Sequence, residues 1–223
     1  MVPICTFTYL ILRQLERNEL FWAGVFDQMA QEDYVVIDDF LKEELVTKVM
    51  DYFHQQEEKD VFQKAAIGSA GNELVINEVR GDYTFWLEQH RDLELAELFA
   101  AFDEVKSWIN RLCFLSLSDY EFHLAHYPKG SFYKRHLDQF SERNNRMISM
   151  IIYLNKGWKN GDGGELRIYP ENAEAMNVEP LFNRCVLFRS DTLEHEVLTA
   201  HTDRRSVTGW MLYQPSIIAA IRP

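Results

Sequence analysis

From Leu112 to Tyr213 the chain breaks into short apolar segments separated by turn residues, and this limits the folds open to it. The segments are 119–127, 132–137, 147–154, 164–169, 184–189, 194–198 and 204–213. The breaks include Pro128-Lys129-Gly130, Asn144-Asn145, Asn160-Gly161-Asp162-Gly163-Gly164 and Pro170-Glu171-Asn172. Glycine reaches positive φ at no steric cost, asparagine tolerates it, and proline presets a turn. Closely spaced short strands with no helix between them predict an all-β sandwich or barrel.

The first half reads differently. Residues 13–30 carry Leu15, Leu20, Val25, Phe26 and Met29 at helical spacing,. A short strand, Tyr34 to Ile37, comes next. Asp38-Asp39 then offers an N-cap to a helix with Leu41, Leu45, Val46, Val49 and Phe53 inward,. Residues 64–72 read as a loop and Leu74 to Arg80 as a strand. Residues 91–110 form the clearest amphipathic helix, with Leu93, Leu95, Leu98, Phe99, Phe102, Val105 and Trp108 on one side. The expectation is a mainly β double-stranded β-helix, or jelly roll, buttressed by N-terminal helices. Residues 1–112 form the helical and strand support and 113–223 the β core, within one structural unit.

Composition narrows the function classes. A net charge of -12 repels phosphate backbones and argues against a nucleic-acid partner,. Three cysteines, none in a CxxC pair, argue against a disulfide framework or a cysteine zinc site and suit a reducing cytoplasm,. Val2 to Leu12 is apolar but shorter than the roughly 20 residues a membrane span needs. It reads as a packed or disordered leader without a targeting role.

Two patterns carry chemistry. In FYKRHLDQF (132–140), His136 and Asp138 are two apart and share a strand face,. His195, in LEHEV near the C-terminus, supplies a third ligand. Two histidines and one carboxylate form the facial triad of non-haem Fe(II) oxygenases, which leaves three coordination positions open. Zinc is the rival metal for the same ligands. The other five histidines, His54, His90, His123, His126 and His201, carry no assigned role. In RRSVTGW (204–210), alternate residues place Arg204, Ser206, Thr208 and Trp210 on one face, and Arg205 on the other. A guanidinium turned into a barrel is costly without an anion and suits a carboxylate bidentately. A dicarboxylate that chelates iron at one end would present its other carboxylate there.

These residues resemble the 2-oxoglutarate- and Fe(II)-dependent prolyl 4-hydroxylases, above all the bacterial and animal hypoxia-type enzymes. The similarity extends in order through VRGDYTFW (79–86), YPKGSFYKRHLD (127–138), RMISMIIYLNKGW (146–158), GGELRIYP (163–170), EHEV (194–197) and TGW (208–210). Residues 1–33 carry no such motif. The resemblance implies that His136, Asp138 and His195 ligate iron. It implies that Arg204 and Tyr153 hold the distal carboxylate of 2-oxoglutarate. Tyr127 would line that pocket, and Leu166, Val197, Thr208 and Trp210 would wall it. Strand parity sets Tyr133 opposite His136 unless a bulge intervenes. Arg80, Asp82 and Arg146 match substrate-positioning residues, with a surface ion pair the alternative for Arg80–Asp82. The polar loop 139–146 differs from the animal type. The implied activity is hydroxylation of a prolyl residue in a protein, a translation elongation factor loop being the target that the bacterial pattern suggests. The cofactors implied are Fe(II), 2-oxoglutarate and O2, with ascorbate as supporting reductant. The alternatives are hydroxylation of a free amino acid or small metabolite, and a non-catalytic cupin-like binding protein.

Overall fold

A computed structural model describes residues 17–65, 79–139, 144–171 and 173–213. Most of the loop expected at 64–72 and of the strand expected at Leu74–Arg80 lies outside these residues, as does the start of the first helix.

Helix α1 (Glu19–Glu32) begins at Asn18, whose side-chain oxygen accepts the Phe21 N–H at 3.1 Å. It buries Trp22, Val25, Phe26 and Met29, a stripe spaced i, i+3, i+4, i+7,. Leu20, expected on that stripe, is 81% exposed because it falls off its phase, and Trp22 fills the core instead. After β1 (Tyr34–Ile37) comes α2 (Glu43–Glu58), with Leu45, Val46, Val49 and Phe53 buried as expected. The expected Asp38-Asp39 cap is corrected: Lys42 is the N-cap and makes no side-chain bond. Asp38 instead accepts from Arg184 at 2.6 Å, tying the chain after β1 to the entry of a distant strand. Helix α3 (Ala96–Cys113) follows a 3-10 turn at Leu93–Leu95. Leu93 is exposed and Trp108 half-buried, and Ile109 takes the inward position. Among the described residues no helix is long and apolar enough to cross a membrane.

The remaining strands are β2 (Gln63–Lys64), β3 (Tyr83–Trp86), β4 (Asp119–Tyr127), β5 (Tyr133–His136), β6 (Arg146–Tyr153), β7 (Leu166–Tyr169), β8 (Met176–Val178), β9 (Cys185–Arg189), β10 (Glu194–Val197) and β11 (Arg204–Leu212). They form a seven-stranded sheet, β1-β9-β6-β11-β4-β3-β2, and a four-stranded sheet, β5-β10-β7-β8. Every pairing is antiparallel. The larger sheet therefore draws strands from both halves of the chain.

Strand periodicity divides the core into two layers. On one face of the larger sheet Phe122, Leu124, Ile148, Met150, Ile152, Cys185, Leu187, Val207 and Met211 pack with the helices. On the other, Ala125, Tyr127, Ile151, Tyr153, Val186 and Phe188 meet Leu166, Ile168 and Val197 of the smaller sheet. Covering both faces explains why β6 and β9 read as nearly continuous apolar runs. Gly209 makes room for Phe122 of the paired strand β4. A Cβ there would lie 2.2 Å from the Glu121 carbonyl and 2.3 Å from the Phe122 ring, which stacks on Phe102 at 3.8 Å.

Candidate metal centre

His136 ends β5 and His195 lies opposite it on β10, so the smaller sheet presents both imidazoles side by side. Asp138 follows two residues later. Ligand atoms of the three residues lie within 4.8 Å of one another, and among the described residues they form the single such cluster. His136 Nε2 is 3.5 Å from Asp138 Oδ1, and His195 Nε2 is 3.6 Å from Asp138 Oδ2. Each imidazole turns its Nδ1 to a backbone carbonyl: His136 to Lys134 at 2.7 Å, His195 to Leu193 at 3.1 Å. A carbonyl can only accept, so each Nδ1 carries a proton, and in the neutral ring the lone pair is left on Nε2. That is the tautomer a metal ligand needs, fixed by the partner on the other ring nitrogen.

The electrostatics agree with a ligand set. Burial pulls His195 down to about 4, against the raising effect of Asp138, so it is neutral at physiological pH. Burial would raise the Asp138 carboxyl, but His195, His136 and a Ser149 bond hold it well below the usual carboxylate range.

Arg204, at the start of β11, is 2% exposed. Its Nε donates to the Gly164 carbonyl at 2.9 Å, and one terminal nitrogen reaches Ser206 Oγ at 3.4 Å. The guanidinium lies 4.7 Å from the Tyr127 ring centroid and 5.0 Å from that of Tyr153. No carboxylate pairs with it among the described residues. Beside it the fully buried Tyr153 hydroxyl makes no hydrogen bond of good geometry. A buried cation without an anion and an unsatisfied hydroxyl next to it fit one end of a dicarboxylate. Gly163 and Gly164, at φ 69 and 76, turn the chain tightly under the arginine. A Cβ on Gly164 would meet Arg204 Cδ at 2.9 Å. Arg205 falls on the opposite face and pairs with Glu57 at 2.9 Å, as its parity requires.

One pocket joins the two constellations. His136, Asp138 and His195 line it together with Arg204, Tyr127, Leu166, Val197, Thr208 and Trp210. Tyr153 is not on its surface; it lies behind, under Arg204. Tyr133 corrects the strand-parity expectation. Val197 pairs with Tyr133 and His195 with His136, so three steps on β5 oppose two on β10. This bulge turns Tyr133 onto the ligand side, where its ring stacks on His136 at 3.6 Å,.

Arg80 also reaches the pocket rim, and its pair with Asp82 is not a surface one: Asp82 is fully buried behind it, with bonds of 2.7 and 2.6 Å to Arg80. Gly81 between them lets this segment press on the residues just before β5; a Cβ there would lie 2.9 Å from Ser131 Cβ. Arg146 lies over the Trp210 ring at 3.4 Å and donates to Glu121 at 2.6 Å.

His123 was given no role from the sequence, yet it lines the pocket between Trp86 and Trp210, with ring centroids 4.8 and 5.6 Å away. The signal was its parity with Tyr127 on β4. Burial, with help from Arg80 and Arg146, lowers it to about 3. Both His123 and His195 have depressed values against an unfolded value of 6.5. Between about pH 6.5 and pH 4 the unfolded chain binds these two protons and the folded chain does not,. Stability of the metal-free protein is therefore expected to fall as pH drops through that window. The urea midpoint, followed from pH 7.5 to 5, reads it, and His123→Leu should lessen the slope without abolishing it, since burial also holds His126 below its usual value. A midpoint flat with pH would contradict the burial of these imidazoles.

The comparisons with known proteins agree with this geometry. The 2OG-Fe(II) oxygenase superfamily matches residues 122–212. A Pseudomonas putida prolyl-4-hydroxylase structure is 34% identical, with TM-score 0.79, covering 87% of this chain and 100% of that one. A Trichoplax adhaerens prolyl hydroxylase, solved with a hypoxia inducible factor oxygen degradation domain peptide fragment, is 28% identical with TM-score 0.79, covering 88% and 90%. A Caenorhabditis elegans hypoxia-inducible factor prolyl hydroxylase is 28% identical over 216 residues, 91% of this chain. The chain spans only 28% of that relative's length.

Proposed function

The chain belongs to the 2-oxoglutarate- and Fe(II)-dependent prolyl 4-hydroxylase family, and on that premise we propose that it hydroxylates a prolyl residue within a polypeptide. The dioxygenase class, with Fe(II), 2-oxoglutarate and O2, comes with the family. The observation that carries the site assignment is Arg204: a buried guanidinium with no carboxylate partner among the described residues, across one pocket from the triad.

In this reading His136, Asp138 and His195 hold the iron. When bound, Fe(II) supplies the oxidative decarboxylation of 2-oxoglutarate by O2 to succinate and CO2, with one oxygen atom inserted into a substrate C–H bond. Arg204 holds the distal carboxylate and so sets the co-substrate's orientation, with Tyr153 packed behind the guanidinium,. Leu166 and Val197 wall it, and the apolar surround keeps water from the reacting groups. Tyr133, Trp86 and Trp210 offer aromatic surface beside the ligands, suited to an apolar pyrrolidine ring. Ascorbate serves as the supporting reductant.

The rim supports a polypeptide over a free amino acid. A free amino acid brings its own carboxylate and ammonium, which need partners. The two guanidiniums at the rim, Arg80 and Arg146, are already engaged by Asp82 and Glu121. A proline inside a chain brings only neutral amides. Arg80, Asp82 and Arg146 then shape the rim, and do not bind a charged substrate.

The test is succinate formation from 2-oxoglutarate with Fe(II), with and without proline-containing peptides, including loops of a translation elongation factor. Peptide-stimulated succinate together with a gain of one oxygen on proline by mass spectrometry is the expected result. Stimulation only by small metabolites would move the assignment to them.

A further inference from the structure

We infer that Ser149 and Ser190 form a one-way hydroxyl relay that keeps the Asp138 carboxylate a one-oxygen ligand, so that Ser190 tunes the metal site without touching any ligand. The inference rests on the triad's being the metal site.

Ser149 lies on β6 and is 1% exposed; Ser190 directly follows β9 and is fully buried. Ser149 Oγ donates to Asp138 Oδ2 at 2.6 Å, and the two serine oxygens are 2.8 Å apart. An ionised carboxylate only accepts, so the Ser149 proton is committed to Asp138. The bond between the serines must then run from Ser190 to Ser149. The order Ser190→Ser149→Asp138 is the only one the proton count allows. Each donation polarises the next, and the last is charge-assisted.

Around the relay the inward positions are apolar. Ser149 pairs in register with Phe188 on one side and Trp210 on the other. Ile151 and Tyr153 continue its face of β6. A hydroxyl in such a layer is costly without a partner, so two adjacent ones call for a reason. Ser190 is also held at both backbone groups: its N–H donates to the Met147 carbonyl at 3.1 Å, and its carbonyl accepts the Gln139 N–H at 3.0 Å. The residue next to Asp138 and the end of the relay are thus joined by a backbone bond that does not pass through Ser149. The Ser190 side chain starts from a fixed backbone.

The consequence lies in coordination number. Asp138 turns Oδ1 toward His136 and Oδ2 toward His195. With Oδ2 engaged by Ser149, Oδ1 is the oxygen left to ligate. A carboxylate bound through both oxygens would occupy a fourth position and leave two open. The relay keeps three open, the number that a chelating co-substrate and O2 together require.

Anaerobic titration with Co(II), read by visible absorption, tests this without turnover. Ser149→Ala is expected to weaken Co(II) binding about 10–100-fold, the usual cost of losing an outer-shell partner. Ser190→Ala should weaken it about 3–10-fold, the scale of one neutral hydrogen bond. Because the two act in series, Ser149→Ala/Ser190→Ala should bind no more weakly than Ser149→Ala alone, within about twofold. Ser149→Thr keeps the hydroxyl and should restore most of the affinity. The Co(II) absorption bands of Ser149→Ala should also shift toward higher coordination. Ser190→Ala binding like wild type, or losses that multiply in the double variant, would overturn the relay. If Ser149→Ala does not fold, Ser190→Ala and Ser149→Thr carry the test. A wild type that binds no Co(II) overturns the metal-site reading, and the relay with it.

Discussion

Arg204→Ala is expected to raise the KM for 2-oxoglutarate by ~30-fold to several thousand-fold while leaving Co(II) affinity within about twofold. The range is that of truncating one partner of a buried, hydrogen-bonded charge pair, ~2–5 kcal/mol, much of it the cost of leaving the other charge unpaired. Arg204 sits on β11 of the larger sheet and both metal-binding imidazoles on the smaller sheet, so the two functions separate by location. Arg204→Lys keeps the charge but loses the planar fork and the second donor, and should fall between. Arg205→Ala is the control. Its guanidinium bonds Glu57 on the far face, so it should lower stability and leave the 2-oxoglutarate KM near wild type. If Arg205→Ala raised the KM and Arg204→Ala did not, the assignment of the carboxylate clamp would be wrong. Steady-state succinate production over a range of 2-oxoglutarate reads all three.

Asp138→Asn should abolish turnover through loss of the metal. The change is nearly isosteric, so the pocket keeps its shape while the one negative ligand disappears. A neutral amide oxygen is a much poorer partner for a divalent cation than a carboxylate. The loss of Co(II) affinity should exceed the ~10–100-fold that an outer-shell change costs. Anaerobic titration measures it directly. Metal binding at wild-type strength in Asp138→Asn would remove Asp138 from the ligand set.

Much of this was readable from the residues, for identifiable reasons. The period of two along β11 separated Arg204 from Arg205, because that strand runs regularly for nine residues between two partners. The same period misplaced Tyr133, because a bulge adds a residue to β5 and leaves no trace in the local composition. Strands β3 and β8 went unseen. The first has just four residues and the second three, and β8 presents Met176 and Asn177 outward, so neither builds an alternating pattern. His123 was passed over because an imidazole on a strand is ordinary; its significance lies in the company of Trp86 and Trp210, which strand pairing alone brings together. Hydrophobicity alone places Leu20 and Leu93 inward, but Leu20 falls off the phase of α1 and Leu93 sits in the 3-10 turn before α3. The serine pair behind Asp138 was out of reach, since its members are 41 residues apart and meet only when β6 and β9 pair.

The division of labour between the sheets makes the site a gauge. In the proposed function, two iron ligands hang from the smaller sheet, and the guanidinium that would receive the far carboxylate hangs from the larger. The span between them is therefore set by the layer that separates the sheets, chiefly Ile168, Val186, Phe188 and Leu193. A 2-oxo diacid one carbon shorter or longer than 2-oxoglutarate meets the same groups at the wrong separation. Discrimination by chain length is thus written in hydrocarbon that never touches the acid, and trimming that hydrocarbon would recalibrate it.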